Sequence, residues 1–307
     1  MRMLMVGAGA TGGYYGGRMA LAGRDITFLV RDRRKAQLQR DGIRITSPTG
    51  DAVFPAPHLI TADELKHAGT FDVVILSVKA YSLQSAMDDV APAIGGSTVI
   101  VPILNGMRHL DTLSERFGNE KILGGSVRIL CDMDTEGLIY QMTPMDFLNF
   151  GELDGTLTTR AEALRDAFTV PGITLALSDN IVDVMWQKWW ILSTLGAICI
   201  LGGGTIGEIA ATGEHGTAMA HAVQAEAIAI ATANGYPAPA EFALSYNVRM
   251  TESGSILSSS MFRDMTKGLP VEADHILGDL LARANGTPAP LLSAAYTHLK
   301  VYEGKRQ

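Results

Sequence analysis

The chain has 307 residues, a formal net charge of −7, and a composition that is 47% hydrophobic and 19% charged. This composition supplies a sizeable core and argues against a disordered protein, and the length favours two domains over one. The acidic balance and the lack of a basic stripe argue against a nucleic-acid partner.

The cysteine and histidine patterns give no sign of a metal site. Cys131 and Cys199 lie far apart without a Cys-x-x-Cys spacing, which is typical of reduced thiols in the cytosol. The seven histidines show no His-Glu-x-x-His pattern, and His109 and His215 are expected to be structural or surface residues. From these spacings we expect no metal ion. No signal peptide is recognisable, so we expect a cytoplasmic protein.

The first thirteen residues carry the most informative motif. Met3–Val6 predicts a short buried strand, Gly7, Gly9 and Gly12 form G-x-G-x-x-G, and Tyr14–Leu21 predicts a helix. In a dinucleotide-binding loop the first glycine permits a tight turn, the second lets the backbone approach a pyrophosphate, and the third lets helix and strand pack closely. An ordinary glycine-rich turn is the alternative. The order strand, loop, helix favours a dinucleotide site, with the phosphates on the helix N-terminus.

The residue that follows the second strand bears on the choice of cofactor. This strand is predicted over Asp25–Val30 and ends at Arg31. An arginine at this point accommodates a 2′-phosphate, whereas an acidic residue binds a free ribose hydroxyl. We therefore predict NADP(H). Asp32 leaves NAD(H) open, because its carboxylate could face the ribose, and the basic run could also be a solvated helix start.

Further apolar runs predict the rest of an α/β domain, with a β-insertion over Gly42–Pro57. Lys79 and Asn105 each follow a predicted strand, where ligands bind in open parallel sheets, so both are candidate binding residues. The predicted strands are Phe71–Val78, Ser97–Leu104, Val127–Ile129, Leu138–Met142, Asp146–Glu152 and Ile173–Leu177, and the predicted helices are Ala62–His67, Ser82–Ile94 and Thr158–Phe168.

From Asp179 onward the pattern changes to helical stretches separated by glycine and proline breakers. We therefore predict an α/β Rossmann-type domain over residues 1–177 and an all-helical domain over residues 178–307. The predicted helices of the second domain are Val182–Leu201, Thr217–Asn234, Ala240–Met250, Val271–Ala284 and Pro290–Tyr302.

One segment of the second domain, Trp189–Gly207, contains no charged residue and invites a membrane interpretation. Its uninterrupted apolar part is shorter than a bilayer-spanning helix requires, which favours a buried core helix.

Lys188 directly precedes this uncharged segment and lies in an otherwise apolar predicted helix, between Trp186 and Trp189. Burial would lower its pKa toward the range useful for proton transfer, whereas a lysine at the helix margin would extend its ammonium to water. The sequence leaves both interpretations open.

Two acidic residues, Glu272 and Asp274, open the predicted fourth helix, where carboxylates ordinarily cap the helix and favour its dipole. The serine-rich cluster Ser258–Met261 is, by itself, more often a solvated loop than a ligand site.

Together these residues resemble the ketopantoate reductase (2-dehydropantoate 2-reductase) family. The similar segments are GAGATG in the glycine loop, Arg31, SVKAY at Lys79, LNGM at Asn105, VMWQKWW at Lys188, and SSSMFRDMTKGLPVEADHI, which contains Ser260 and Glu272. The resemblance implies a Rossmann domain followed by an all-α domain like the C-terminal domain of 6-phosphogluconate dehydrogenase. It also implies NADPH-dependent reduction of a 2-oxo acid, with ketopantoate and pantothenate biosynthesis as the leading candidate.

The resemblance also implies roles for individual residues. Lys188 protonates the carbonyl oxygen as hydride reaches the carbon, and Glu272 contacts the substrate hydroxyl. Ser260 binds the substrate carboxylate, and Asn105 lies where cofactor and substrate meet. The implied cofactor residues are Gly7, Ala8, Gly9, Ala10, Thr11, Gly12, Arg31, Lys79 and Asn105.

Three positions depart from the family pattern: Leu192, Gly196 and Leu257 stand where the better-known reductases have asparagines. Such a pocket is less suited to a polar, hydroxylated substrate. A reductase for a less polar 2-oxo acid therefore stays open, as does a non-catalytic NADP(H)-sensing protein, although Lys188 and Glu272 are both retained. The small-molecule substrate is the expected partner, and family analogy implies a possible homodimer.

Overall fold

A computed structural model describes residues 1–306 of the chain, which divides into two compact units. The first unit comprises Met1–Leu104 and His109–Val184. The second comprises Asn105–Arg108 and the chain from Met185 onward. The short segment Asn105–Arg108 thus belongs with the second unit, although the sequence on both sides of it belongs to the first. The predicted limits 1–177 and 178–307 stay a prediction.

The first unit contains a parallel sheet of five strands in the order β5-β2-β1-β6-β7. All four residues of β1 are buried, as expected for a strand covered on both faces. β5 is only three residues long, too short for a recognisable pattern, and was not predicted. The strands are β1 (Met3–Val6), β2 (Ile26–Leu29), β5 (His58–Ile60), β6 (Phe71–Leu76) and β7 (Ile94–Pro102).

A second sheet of the same unit contains the predicted β-insertion, which forms an antiparallel hairpin of β3 and β4. The strands predicted over Leu138–Met142 and Asp146–Glu152 are in fact one strand, β9. Its ladder with β8 shifts register around Ile129, so the residues near Pro144 are accommodated without ending the strand. The strands are β3 (Ile43–Thr46), β4 (Ala52–Phe54), β8 (Leu123–Met133), β9 (Leu138–Glu152) and β10 (Thr174–Leu177).

Six helices accompany these sheets, and α1 begins at Ala10, inside the glycine motif and earlier than predicted. α2 ends at Asp41, and the positive φ of 68° at the next residue, Gly42, stops the helix. α5 was not predicted. The helices are α1 (Ala10–Leu21), α2 (Asp32–Asp41), α3 (Ala62–Leu65), α4 (Leu83–Val90), α5 (Arg108–Phe117) and α6 (Thr159–Phe168).

The second unit is helical, as predicted, and no strand occurs among its described residues. The helix predicted over Val271–Ala284 is present, but its helical residues run only from Ala273 to Ala282 and are not regular α-helix throughout. Residues Asp274–Gly278 form a π-helical turn that leads into the short α12, and Glu272 precedes the helical residues. α8 and α11 were not predicted. The helices are α7 (Ile181–Gly202), α8 (Ile206–Ala210), α9 (Glu214–Ala233), α10 (Ala240–Arg249), α11 (Ser260–Thr266), α12 (Asp279–Ala282) and α13 (Pro290–Arg306).

Within residues 1–306, α7 is the one helix long and apolar enough to cross a membrane by length and composition. Its most apolar window has a mean hydropathy of 1.3, and 78% of that window is buried inside the structure. Burial of this extent is typical of a core helix, in agreement with the interpretation from sequence.

Candidate active site

The three motif glycines of the first unit meet the three requirements of a dinucleotide-binding loop. Gly7 has a φ of 95°, which only glycine adopts readily. A β-carbon added at Gly12 would clash with the carbonyl oxygen of Gly7 and lie 3.0 Å from the β-carbon of Ser77. At Gly9 the same addition meets no atom within 4 Å, so the backbone faces open space there. The loop therefore fits a pyrophosphate group.

The N-terminus of α1 follows directly from this loop. Gly9 is its N-cap residue, and no side chain caps the helix or places an acid in its first turn. The first backbone N–H groups of a helix have no partner within it, and the helix dipole favours an anion at this end. This arrangement suits a phosphate group.

Two arginines of α2 lie near the loop. Arg31 is the exposed N-cap residue of α2. Burial raises the pKa of the Asp89 carboxyl, and the positive charge of Arg31 partly offsets this rise. Arg34 donates a hydrogen bond from Nε to the carbonyl oxygen of Ala8 (3.0 Å) and another from Nη1 to Gln37 (2.6 Å). Its Nη2 is buried without a hydrogen-bond partner among the described residues. No sequence pattern distinguishes Arg34 from the other cations of this run, although it lies one helical turn after Arg31.

Lys79 lies at the carboxyl end of β6, the strand next to β1. The parallel register pairs Val6 with Leu76, and Ser77 contacts the glycine loop. Lys79 is therefore on the same edge of the sheet as the loop, and its side chain is exposed. Thr11, in the first turn of α1, lies with its hydroxyl oxygen 3.9 Å from the sulfur of Cys131 on β8.

In the second unit, the segment with Asn105 lies against α7 and the π-helical turn. Gly106 has a φ of 78°, and a β-carbon added there would clash with the carbonyl oxygen of His275. The same position is 3.8 Å from Nε1 of Trp189, the residue that follows Lys188. Lys188 itself is half-buried. Only a glycine permits this close approach, which brings the segment of Asn105 to the part of α7 that carries Lys188.

Glu272 is joined to the same part of α7 by hydrogen bonds. Glu272 is buried, with 6% of the residue exposed. Its backbone carbonyl oxygen accepts a hydrogen bond from the Ile276 N–H (3.0 Å). The carbonyl oxygen of Ile276 in turn accepts from the indole N–H of Trp189 (2.9 Å). Burial lowers the pKa of His275, and the nearby Glu272 partly offsets this change.

The serine-rich cluster is a helix start and not the solvated loop that serines alone suggest. Ser259 is the N-cap residue of α11, and its hydroxyl accepts from the Phe262 N–H (3.0 Å). Ser260 is the first residue of the helix, and the buried Met261 places its Cε 3.0 Å from the β-carbon position of Gly196. Gly196 lies two turns after Lys188, and Met261 therefore fills space that a larger side chain would occupy.

The four residues proposed for substrate chemistry thus belong to segments that contact one another within the second unit. Asn105 and Glu272 belong to segments that contact Trp189, next to Lys188. Ser260 precedes Met261, which packs on the face of α7 formed by Lys188, Leu192 and Gly196. The roles of these side chains stay predictions.

Other candidate sites lie elsewhere. A surface cavity of about 450 Å³ lies at the far end of α7, against the glycines at 202–204 and His215, and holds none of the proposed residues. Both thiols are free, and burial raises the pKa of Cys131 and of Cys199 to about 11. His109 is fully buried. Residues 1–306 contain no group of three or more His, Cys, Asp or Glu side chains that could hold a metal ion.

The comparisons with known proteins agree with this fold. The family model described as ketopantoate reductase PanE/ApbA matches residues 3–155, and the model of its C-terminal part matches residues 180–303. A Bacillus subtilis protein described as an uncharacterized oxidoreductase, YkpB, is 38% identical over the full length of both chains. A 2-dehydropantoate 2-reductase of Mesorhizobium japonicum is 28% identical and covers 96% of this chain and 95% of its own.

Among solved structures, the ternary structure of D-mandelate dehydrogenase with NADH and anilino(oxo)acetate has a TM-score of 0.88 at 18% identity. The match covers 100% of this chain and 99% of that chain, which shows a shared fold.

The glycine loop, the parallel sheet and the helical second unit define a nicotinamide-dependent oxidoreductase that acts on the CH–OH group of a small molecule. Within that class, the chain belongs to the ketopantoate reductase (PanE/ApbA) family.

Proposed function

We propose that this protein reduces a 2-oxo acid to the corresponding 2-hydroxy acid with NADPH, in the cytoplasm. The observation that carries the proposal is the junction in the second unit, where the segments of Asn105, Lys188 and Glu272 contact one another around Trp189. A lysine and a buried carboxylate on contacting segments are the groups that carbonyl reduction requires.

When bound at the glycine loop, the reduced nicotinamide would supply the hydride that the carbonyl carbon accepts. Negative charge develops on the carbonyl oxygen, and the ammonium of Lys188 stabilises it and donates the proton that completes the hydroxyl. Glu272 accepts a hydrogen bond from a substrate hydroxyl and orients it. Ser260 donates to the substrate carboxylate, and Asn105 holds the substrate beside the cofactor.

The preference for NADPH rests on Arg31. It follows β2 at the point where such folds contact the adenosine ribose, and its exposed guanidinium suits a 2′-phosphate. Asp32, in the first turn of α2, is the feature that speaks for NADH, the cofactor named for the mandelate dehydrogenase structure.

Ketopantoate, the substrate of the curated reductase from Mesorhizobium japonicum, is the leading candidate substrate and would give the protein a role in pantothenate biosynthesis. One observation favours a second candidate, a less polar 2-oxo acid. Beyond Lys188 the same face of α7 carries Leu192 and Gly196, and the thioether of Met261 lies on Gly196. This lining offers no amide to a substrate hydroxyl. D-Mandelate dehydrogenase, which shares the fold, acts on a substrate with an aromatic side chain.

A matched pair of substrates tests the proposal. Ketopantoate and 3,3-dimethyl-2-oxobutanoate share a carbon skeleton and differ by one hydroxyl group. A pocket built to hydrogen-bond that hydroxyl rejects the analogue by roughly 10⁴-fold or more in kcat/KM, whereas an apolar pocket discriminates by no more than about 100-fold. Phenylglyoxylate extends the series to an aromatic side chain. Each substrate is assayed with NADPH and with NADH.

The outcomes separate the alternatives. A large preference for ketopantoate supports the leading candidate, and equal or faster reduction of the two apolar acids supports the second. If none of the three is reduced but NADPH binds, the proposal fails and the non-catalytic NADP(H)-sensing alternative is favoured. Sedimentation of the purified protein tests whether it is the homodimer that family analogy suggests.

A further inference from the structure

We infer that Trp189 is a positioning residue, which holds the segment of Glu272 in register with the helix that carries Lys188. The inference rests on the proposed function. It is carried by the π-helical turn Asp274–Gly278, whose residues have no part in the proposed reaction.

The first observation is the hydrogen bond of Trp189 itself. The residue is 1% exposed, and its Nε1 donates to the carbonyl oxygen of Ile276 at 2.9 Å. Ser193, one turn later on α7, donates from Oγ to the same oxygen at 3.4 Å. A carbonyl inside a helix ordinarily accepts from the backbone, so two side-chain donors on one oxygen make this a specific anchor between α7 and the turn.

The second observation is the geometry of the turn. The N–H of Asp279 donates to the carbonyl oxygen of Asp274, five residues earlier. Such turns are rare within helices and occur frequently at functional sites. On its other side, the Asp274 carboxylate accepts from the Tyr296 hydroxyl (2.6 Å) and from Lys300 Nζ (3.0 Å), both on α13. The turn is thus held from both sides, by α7 and by α13.

The third observation connects this anchor to the proposed catalytic groups. Trp189 follows Lys188 directly, and the N–H of Ile276 donates to the carbonyl oxygen of Glu272. A β-carbon added at Gly106, beside Asn105, would clash with the carbonyl oxygen of His275 and lie 3.8 Å from Nε1 of Trp189. The indole N–H therefore joins α7 to the turn that bonds to Glu272, and the segment of Asn105 lies close to this junction. A displacement of about 1 Å between reacting groups costs on the order of 100-fold in rate, so loss of this bond should be visible in kinetics.

The next residue supplies a matched control. Trp190 is also fully buried on α7, but its Nε1 has no hydrogen-bond partner among the described residues. Trp190→Phe and Trp189→Phe remove the same atoms from adjacent positions of one helix. Only Trp189→Phe removes a hydrogen bond to the π-helical turn.

The experiment compares the two variants on the most active 2-oxo acid of the substrate series. We expect Trp189→Phe to lower kcat by ~10- to 100-fold and to shift the pH profile of kcat/KM, because the spacing of Lys188 and Glu272 changes. The affinity for NADPH, measured by fluorescence titration, should stay within about twofold, because the glycine loop belongs to the other unit. Trp190→Phe should leave all three quantities unchanged.

A second pair of changes keeps the test decisive if Trp189→Phe does not fold. Ser193→Ala combined with Tyr296→Phe removes one side-chain donor from each side of the turn. We expect a smaller loss in kcat, of about 3- to 10-fold, because the bond from Trp189 remains. The inference is overturned if Trp189→Phe matches Trp190→Phe in kcat and pH profile, or if the double variant behaves as wild type. Failure of the wild-type protein to reduce any 2-oxo acid would instead overturn the proposed function.

Discussion

Arg34 holds the glycine loop through a hydrogen bond of 3.0 Å from its Nε to the carbonyl oxygen of Ala8. Its Nη1 donates at the same time to Gln37, so the planar guanidinium links the loop to α2 with two bonds. A lysine keeps the charge but cannot make both bonds in this geometry.

The expected result of Arg34→Lys is therefore a loop that is less well fixed before the cofactor binds. We expect the affinity for NADH, which lacks the 2′-phosphate, to fall about 5- to 10-fold, as for the loss of one hydrogen bond of roughly 1 kcal/mol. Isothermal titration calorimetry measures this affinity. The exposed Arg40 on the same helix is the control, and an equal effect of Arg40→Lys would contradict the role of Arg34.

Gly9 is predicted to matter for cofactor binding and not for folding. A methyl group at Gly9 meets no protein atom within 4 Å, but it occupies the side of the loop where a pyrophosphate would approach. Gly9→Ala should keep its Tm within about 2 °C and lose at least ~10-fold in dinucleotide affinity. Gly96→Ala, at an equally open position of β7, should change neither quantity. Wild-type affinity in Gly9→Ala would show that the loop does not hold the pyrophosphate.

Arg31 is predicted to select the phosphorylated cofactor. Arg31→Ala should weaken NADPH binding by ~10- to 100-fold, as expected for a hydrogen bond to a charged group, and leave NADH binding unchanged. Asp32→Asn tests the competing residue and should strengthen NADPH binding modestly by removing a like charge near the phosphate. Fluorescence titrations of the wild-type protein and the two variants with both cofactors give the six affinities. Tighter binding of NADH than of NADPH by the wild-type protein would contradict the assignment.

Lys188 is predicted to be the proton donor. Lys188→Ala should lose at least ~100-fold in kcat, because the negative charge on the carbonyl oxygen is no longer neutralised. The affinity for NADPH should change little. Lys305→Ala, in the last turn of α13, removes a lysine from the surface of the same unit and serves as the control. An active Lys188→Ala variant would remove this residue from the mechanism.

His275 is predicted to make stability depend on pH between 7 and 5. Burial lowers its pKa below the ordinary 6.5, with Glu272 and Asp274 acting against this change and Arg108 adding to it. As the pH falls below about 6.5, the unfolded chain binds a proton that the folded chain binds only at lower pH. The free energy of unfolding should therefore decrease toward pH 5.

Urea denaturation at pH 7, 6 and 5 measures this slope. His275→Gln should flatten it, because the titrating group is gone, whereas His221→Gln, at an exposed position of α9, should leave it unchanged. An unchanged slope in His275→Gln would assign the pH dependence to other groups.

Much of the first unit followed from short local patterns. The glycine spacing 7, 9, 12 predicted the loop, and near-continuous apolar runs such as Phe71–Leu76 predicted the buried parallel strands. The missed elements are those whose residues carry little pattern. β5 is three residues long, and α5 is a polar helix that directly follows a glycine turn. The gap between the two strands predicted within β9 contains Pro144, which cannot donate to a strand ladder, and the register shift there depends on the pairing with β8.

The candidate site was predictable as a set of residues but not as an arrangement. Lys188 stood out as a lysine among tryptophans, and the family resemblance supplied Glu272 and Ser260. Nothing local distinguishes Trp189, which bonds to Ile276, from Trp190, which does not. Likewise, the contact of Met261 with Gly196 joins residues of two helices whose packing no sequence pattern encodes.

The π-helical turn also makes the length of its segment critical. A π-helix contains one more residue in a turn than an α-helix does, so deleting a single residue between Asp274 and Gly278 would convert it into an ordinary helical turn. The turn itself would take up the lost residue, so the helical residues on either side would keep nearly the same orientation about the axis. The backbone between them would contract, and the Ile276 carbonyl oxygen would leave the position at which it accepts from Trp189. The extra residue of this turn is therefore what places an acceptor against α7.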